Sequence, residues 1–375
     1  MKIGLLTWYK NDNYGSALQA YSLYKVLNKF GKCDVINYSN SHKPQKNTVF
    51  YIGQMQKIYE RYIKRTQRKR FLKEIKLRSD KFTSFYCNNF TFTDNCVDYN
   101  DLYNLQNKYD MFICGSDQIW NPKFYSNINF LGFIKDSNKI ISYAPSIGVN
   151  SLLNLKYTDD IKKNLERFKY LSIRENTGKK AITELINRDA VVCCDPTILI
   201  GKDYWNKLIK CESQDEPYIL CYFLSDNKRY WTYVEKLRNK MDINIKVIPI
   251  NQNDIDRNYQ YLSGVGPLEL LSYIKNAKYV CTDSYHGTIF SIIFEKPFTV
   301  LRRFNDDSSF SQNSRLYDFL ELTDMKNRLE IEYDSSDLFQ IEWENASNKM
   351  DSEIKKSMNY LSSAILEVEE YVKND

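Results

Sequence analysis

The sequence predicts an α/β protein built as two Rossmann-like halves that face a cleft. Three observations carry that expectation. The chain has 375 residues, beyond the size at which one hydrophobic core keeps growing. Short apolar runs alternate along it with stretches of helical period, the pattern of parallel strands joined by crossover helices. Those runs end in polar residues, Gly or Pro, as strands of an open sheet do where they deliver ligand-binding loops.

Each element follows in order. KIGLLTW reads as a strand, NDNYGS as a turn, and ALQAYSLYKVLNKF as a helix with Leu18, Tyr21, Val26, Leu27 and Phe30 at helical spacing. Gly31 stands where a helix terminator belongs, and CDVINY closes a right-handed βαβ unit. Residues 45–85 break the rhythm with a basic, helix-prone insertion. Strands resume in KYDMFICGSDQIW, KIISYAPSIG, FKYLSIREN and DAVVCCDPTIL. After a polar boundary near 200–216 come PYILCYFLS, a helix around 228–239 and NIKVIPI. The helix PLELLSYIKN, the strand KYVCTDS, the helix HGTIFSIIFEK and the strand PFTVL complete a second half. A last helical stretch is expected to pack back on the first half. The expected domains are 1–205, 206–345 and a C-terminal helix over 346–375. Two α/β halves of similar size correspond to the glycosyltransferase B type of architecture, with the site between them.

Composition narrows the function classes. With 43% hydrophobic and 27% charged residues, disorder is not expected over most of the length. A net charge of +6 is too mild for a dedicated nucleic-acid binder but suits an anionic substrate or an acidic membrane face. The nine Cys show no C-x-x-C spacing, and several sit in apolar runs, so buried free thiols are expected. With two His, no structural zinc site is expected. MKIGLLTWYK reads as a strand rather than a signal peptide, and no stretch has the length of a membrane span, so a cytoplasmic protein is expected.

The most informative segment is KYVCTDSYHGTIFSIIFEKPFTVL. Its strand ends at Asp283-Ser284 and a helix begins near His286. The free N–H groups of that helix start favour a phosphate or carboxylate. Gly287 permits close backbone approach, with Tyr285 and Thr288 beside it. His286, with an ordinary pKa of about 6.5, is the expected general acid or base. The plainer alternative is that Ser284 caps the helix and His286 satisfies a loop carbonyl. Arg174 ends the strand YLSIR, either paired with Glu175 or gripping an anion with its planar fork. Gly115, Ser116 and Asp117 follow another strand, placing Asp117 for sugar hydroxyls. Trp120 beside them is either a stacking platform or a core anchor. Asn13, Tyr14, Gly15 and Ser16 start the first helix, capping it or binding acceptor or phosphate. Asp195-Pro196 reads as a strand terminator.

Six segments in order, NYGSALQAYSL, FICGSDQIWNP, SYAPSIG, LSIREN, CDPTIL and the His-Gly segment, resemble the polysaccharide pyruvyl transferase family over about residues 1–325. The resemblance implies transfer of a pyruvyl group from phosphoenolpyruvate to sugar hydroxyls of a cell-surface polysaccharide or its lipid-linked precursor, forming a ketal. The acceptor would lie on the first half and the donor on the second, without metal or further cofactor. The family's Arg-x-His-Gly pattern reads here Asp283-Ser284-Tyr285-His286-Gly287, so another cation must replace the Arg at Ser284. Arg174, Arg302, Arg303 and Arg315 are the candidates. The alternatives are a nucleotide-sugar-dependent glycosyltransferase of the same fold and a non-catalytic sugar-binding relative. A lipid-linked acceptor gives the basic segment 57–81, with Tyr59, Tyr62, Ile63, Phe71 and Leu72, a second reading beside a solvated helix: peripheral contact with anionic lipid.

Overall fold

The computed structural model describes residues 1–10, 12–38, 56–209, 216–305 and 312–374, with the side chains of 56–65 outside the description. The first half runs β1 (Lys2–Leu6), α1 (Tyr14–Leu27), β2 (Lys32–Val35), α2 (Gln56–Asn89), α3 (Tyr99–Asn104), β3 (Met111–Cys114) and β4 (Ile140–Ser142). It continues through α4 (Thr158–Glu166), β5 (Ser172–Ile173), α5 (Asn176–Ile186), β6 (Val191–Val192), α6 (Pro196–Leu199) and α7 (Lys202–Leu208). The second half runs β7 (Tyr218–Tyr222), α8 (Lys228–Met241), β8 (Asn244–Val247), α9 (Gln252–Asp256) and β9 (Gln260–Tyr261). Then follow α10 (Pro267–Asn276), β10 (Tyr279–Thr282), α11 (Tyr285–Ile293), β11 (Phe298–Val300), α12 (Ser314–Leu322) and α13 (Trp343–Asn374).

One sheet has the order β2-β1-β3-β4 and another β11-β10-β7-β8-β9, every pair in them parallel; β5 and β6 form a separate parallel pair. Near-continuous apolar runs such as MFIC and YVCT are buried throughout because helices cover both faces. The order in which strands are added reverses between β1 and β3 in one sheet and between β7 and β10 in the other. Those switch points are where loops diverge and open a crevice at the strands' carboxyl ends. The architecture is therefore the expected one: two Rossmann-like sheets of glycosyltransferase B type.

Helix α1 is buried along almost its whole length, packed on α6 of its own half and on α10 and α11 of the other. One apolar cluster consequently runs from Ile3 and Val35 to Val280 and Val300. The Tyr14 hydroxyl donates to the Val265 carbonyl at 2.8 Å, fastening α1 across the halves. The helix ends at Leu27, earlier than expected, so Phe30 lies beyond it. Gly31 is not its terminator; it lies under the Met1 carbonyl, where a Cβ would come within 2.7 Å.

The basic insertion is a strap rather than an appendage. Phe82, Phe85 and Tyr86 of α2 are buried against Tyr9, Tyr14 and Tyr21. Glu74 accepts from the Ser263 hydroxyl and the Gly264 N–H, both at 2.6 Å, and Arg78 donates to the Pro249 carbonyl at 2.8 Å. The outer face carries Arg68, Lys69, Lys73 and Lys76, with Leu72 53% exposed. Tyr59, Tyr62 and Ile63 lie outside the described side chains. Helix α13 returns to the first half: Ser357 accepts from the Cys194 N–H at 2.9 Å and Tyr360 donates to the Ser142 carbonyl at 3.0 Å. Among the described residues the cysteines are free and, Cys87 excepted, buried. No helix among them is long and apolar enough to cross a membrane.

Candidate active site

Directly after strand β5 stands Arg174, whose side chain is 1% exposed and whose backbone N–H is held by the Pro145 carbonyl at 2.9 Å. Its Nη1 donates to Asp195 Oδ2 at 2.7 Å. Asp117 and Glu175 approach Nη2 and Nε only to 3.8 Å, so those two nitrogens are buried without a hydrogen-bond partner. Asp195, rather than Glu175, is thus the partner of Arg174. Glu175 is spent elsewhere, its Oε1 accepting from Ser146 Oγ at 2.8 Å and the Ile147 N–H at 3.0 Å. Burial outweighs these donors and Arg174 and raises the Glu175 pKa.

Asp195 corrects the sequence reading, which took it only as a strand terminator. It caps α6, with Pro196 at the first helical position, and its Oδ1 accepts from the Thr197 N–H at 3.0 Å and hydroxyl at 2.7 Å. Its Oδ2, besides holding Arg174, lies 3.3 Å from His286 Nε2 at the start of α11. Burial alone would raise the Asp195 pKa; His286 and then Arg174 reverse that and hold it far below the usual carboxylate range. Arg174, Asp195 and His286 thus form a buried row across the two halves, with a hydrogen bond between Arg174 and Asp195 and only proximity, without a hydrogen bond, between Asp195 and His286 Nε2.

The other side of His286 faces α1. A Cβ at Gly15 would come within 2.0 Å of His286 Nδ1, so only glycine lets the helix start approach the imidazole this closely. Ser16 donates to Asp117 Oδ2 at 2.5 Å, which ties the same helix start to the β3 loop. Asp117 has φ 59°, and its carbonyl accepts from the Ser146 N–H at 2.7 Å. Tyr285 lies edge-on to His286 with ring centres 5.2 Å apart. The guanidinium carbons of Arg174 and Arg315 stand 4.6 and 5.6 Å from the Tyr285 ring centre. A cavity opens against Arg174, Asp195, Tyr285 and Arg315 and reaches Asp318 and Lys356; His286 lies behind Tyr285 and Asp195 rather than in its lining.

The remaining candidates are placed elsewhere or turned inward. Trp120 is a core anchor, 1% exposed, stacked on Phe130 at 5.0 Å and donating to the Asn129 carbonyl, so it offers no face to a sugar. Ser116 donates to the Ala144 carbonyl and receives no solvent, and a Cβ at Gly115 (φ 133°) would strike the Tyr143 carbonyl. The Asn13 side chain caps α1 through the Ser16 N–H at 3.1 Å, and Tyr14 is spent on the other half. The Ser284 hydroxyl caps α11 through the Gly287 N–H at 3.2 Å, and Thr288 donates to the Ser284 carbonyl at 3.0 Å. Gly287 accommodates Thr282 and Tyr222, not a ligand. Arg302 pairs with Glu330 at 3.1 Å, and Arg303 lies over Phe304 at 5.1 Å, so neither joins the Arg174 cluster.

Fold and site together define a protein of two Rossmann-like sheets with a buried ionic centre at their junction. Its fold is similar to that of UDP-GlcNAc 2-epimerase from Neisseria meningitidis bound to UDP-GlcNAc, at 10% identity over 96% of this chain and 100% of that one, with a TM-score of 0.51. A putative UDP-N-acetylglucosamine 2-epimerase from Listeria monocytogenes gives 9% identity over 94% and 91%, with a TM-score of 0.50. At such identities the likeness is one of fold. A search of curated proteins gives no significant match. The family model for polysaccharide pyruvyl transferase matches residues 13–303, and the chain belongs to that family. The match takes in Gly15, Arg174, Asp195 and His286 but ends before Arg315.

Proposed function

We propose that the protein transfers a pyruvyl group from phosphoenolpyruvate to two hydroxyls of a sugar in a cell-surface polysaccharide or its lipid-linked precursor. The observation that carries this reading is the buried Arg174–Asp195–His286 row at the junction of the halves. His286, held between Asp195 and Gly15, supplies a proton to C3 of the enol, leaving an electron-poor C2. One sugar hydroxyl adds there; the second replaces the phosphate. Of the two hydroxyl protons, one is balanced by the new methyl group and the other leaves with hydrogen phosphate. Arg174 and the ionised Asp195 supply fixed charge beside the reacting carbon, where preorganised electrostatics lower a barrier most. The scheme calls on no metal.

Thermal stability of the full chain tests the donor. Phosphoenolpyruvate should raise Tm, while a panel of nucleotide sugars should not. Stabilisation by a nucleotide sugar alone would move the assignment to glycosyl transfer. His286→Ala should abolish turnover and leave phosphoenolpyruvate binding measurable. The outer face of α2, with Arg68, Lys69, Lys73 and Lys76, is proposed to rest on anionic lipid headgroups. Substituting these four by Gln should reduce binding to phosphatidylglycerol vesicles; unchanged binding at low salt would refute the contact.

A further inference from the structure

The cavity beside Tyr285 brings together two guanidinium groups from opposite halves. Arg174 directly follows β5, whereas Arg315 stands in the first turn of α12, beyond the segment that the family model matches. Asp318 of the same helix accepts from the Thr177 N–H at 2.9 Å and its hydroxyl at 3.0 Å. That contact pins α12 on the start of α5 and fixes Arg315 on the Arg174 side.

The two arginines differ in their partners. Arg174 has Asp195 at 2.7 Å and two further carboxylates at 3.8 Å. Among the described residues no carboxylate comes within ion-pair distance of Arg315. Its described hydrogen-bond partner is an amide, Gln312, whose Oε1 accepts from Nη2 at 3.3 Å. Burial, and next the charge of Arg174, push the Arg315 guanidinium down to about 10. Arg174 meanwhile keeps Nε and Nη2 buried and unpaired. Among the described residues Arg315 has no carboxylate at ion-pair distance and Arg174 has two idle donors, which together give the cavity the character of an anion site.

We infer that Arg174 and Arg315 together bind the phosphate of the donor across the cleft, Arg315 supplying the cation that Ser284 does not. This rests on phosphoenolpyruvate being the donor. The test is calorimetric titration of the full chain with phosphoenolpyruvate, orthophosphate and pyruvate, using wild type, Arg315→Gln, Arg315→Lys and the surface control Arg229→Gln. Unliganded melting is recorded for each. Arg315→Gln should weaken phosphoenolpyruvate and orthophosphate at least tenfold, Arg315→Lys should recover part of the loss, and the control should match wild type. Without ligand, Arg315→Gln should melt no lower than wild type, since a like charge beside Arg174 is gone. A merely structural Arg315 would instead lower Tm and leave phosphate affinity unchanged, which overturns the site. Loss of pyruvate binding with orthophosphate unaffected overturns the phosphate assignment. Wild type that binds phosphoenolpyruvate equally well as Arg315→Gln sinks the Arg315 site and leaves the donor standing. Wild type that binds neither phosphoenolpyruvate nor orthophosphate sinks both.

Discussion

At the scale of single residues, the proposed function turns on how closely three side chains and one glycine approach each other. His286 is 8% exposed, so its ring has little room to yield if Gly15 gains a methyl group. Gly15→Ala should therefore displace the imidazole by about 1 Å and cut kcat roughly 100-fold, with the far-ultraviolet circular dichroism unchanged. An active variant would show that the ring position is not critical. Asp195 makes a prediction about pH. Its folded pKa lies below the unfolded value of about 3.9, so its contribution is present above that value and lost as pH falls through the folded pKa. Urea unfolding of the wild type should thus weaken in acid below about pH 4, and Asp195→Asn should flatten that dependence. At neutral pH the same variant should lose about 3–5 kcal/mol, because Arg174 is left buried without its partner. The sequence already singled out His286 and Arg174 by their place at strand ends. Asp195 obeys the same rule, in the turn after β6, and was legible on that ground. What hid it was the following Pro196, which reads equally well as the punctuation of a strand.

At the scale of elements, α2 shows why a basic run is a poor guide to exposure. Its charged residues face outward, yet Glu74 is 4% exposed and holds a loop of the second half. Glu74→Ala strands the Ser263 hydroxyl and the Gly264 N–H, so it should cost about 1–3 kcal/mol in urea unfolding. No loss would mean the strap is held by its aromatic face and Arg78 without help from Glu74. Helix α1 makes the opposite point. Buried on all sides, it lacks the polar stripe by which an amphipathic helix announces its inward face. The pattern therefore located the helix but not its role as the joint between halves. Trp120 shows a similar ambiguity: an aromatic after a strand-end loop suits a sugar platform and a core equally, and only its stacking on Phe130 decides between them.

At the scale of the whole molecule, the two Rossmann-like sheets are not independent. The cluster that spans both, with Tyr14 packed at 5.7 Å on Tyr222, couples their unfolding. Calorimetry should show one cooperative transition; two resolved transitions would contradict the continuous core. Phosphoenolpyruvate at about 100 times its Kd should then stabilise the native state by about 2.7 kcal/mol if it binds only that state.

By itself the sequence determined what depends on local order. Apolar runs of strand length, helical periods between them and polar strand ends set a two-sheet α/β fold, and six motifs in family order set the family. The tertiary structure decided what depends on distance between segments far apart in the chain. It chose Asp195, between β6 and α6, as the hydrogen-bond partner of Arg174 and the close neighbour of His286. It put Gly15 against an imidazole 271 positions later, and set Arg315 beside Tyr285 while sending Arg302 and Arg303 elsewhere. Periodicity reports which face of an element is buried, but not which residue of another element will meet it. That is settled only when parallel strands bring their carboxyl ends, and the loops beyond them, to one edge.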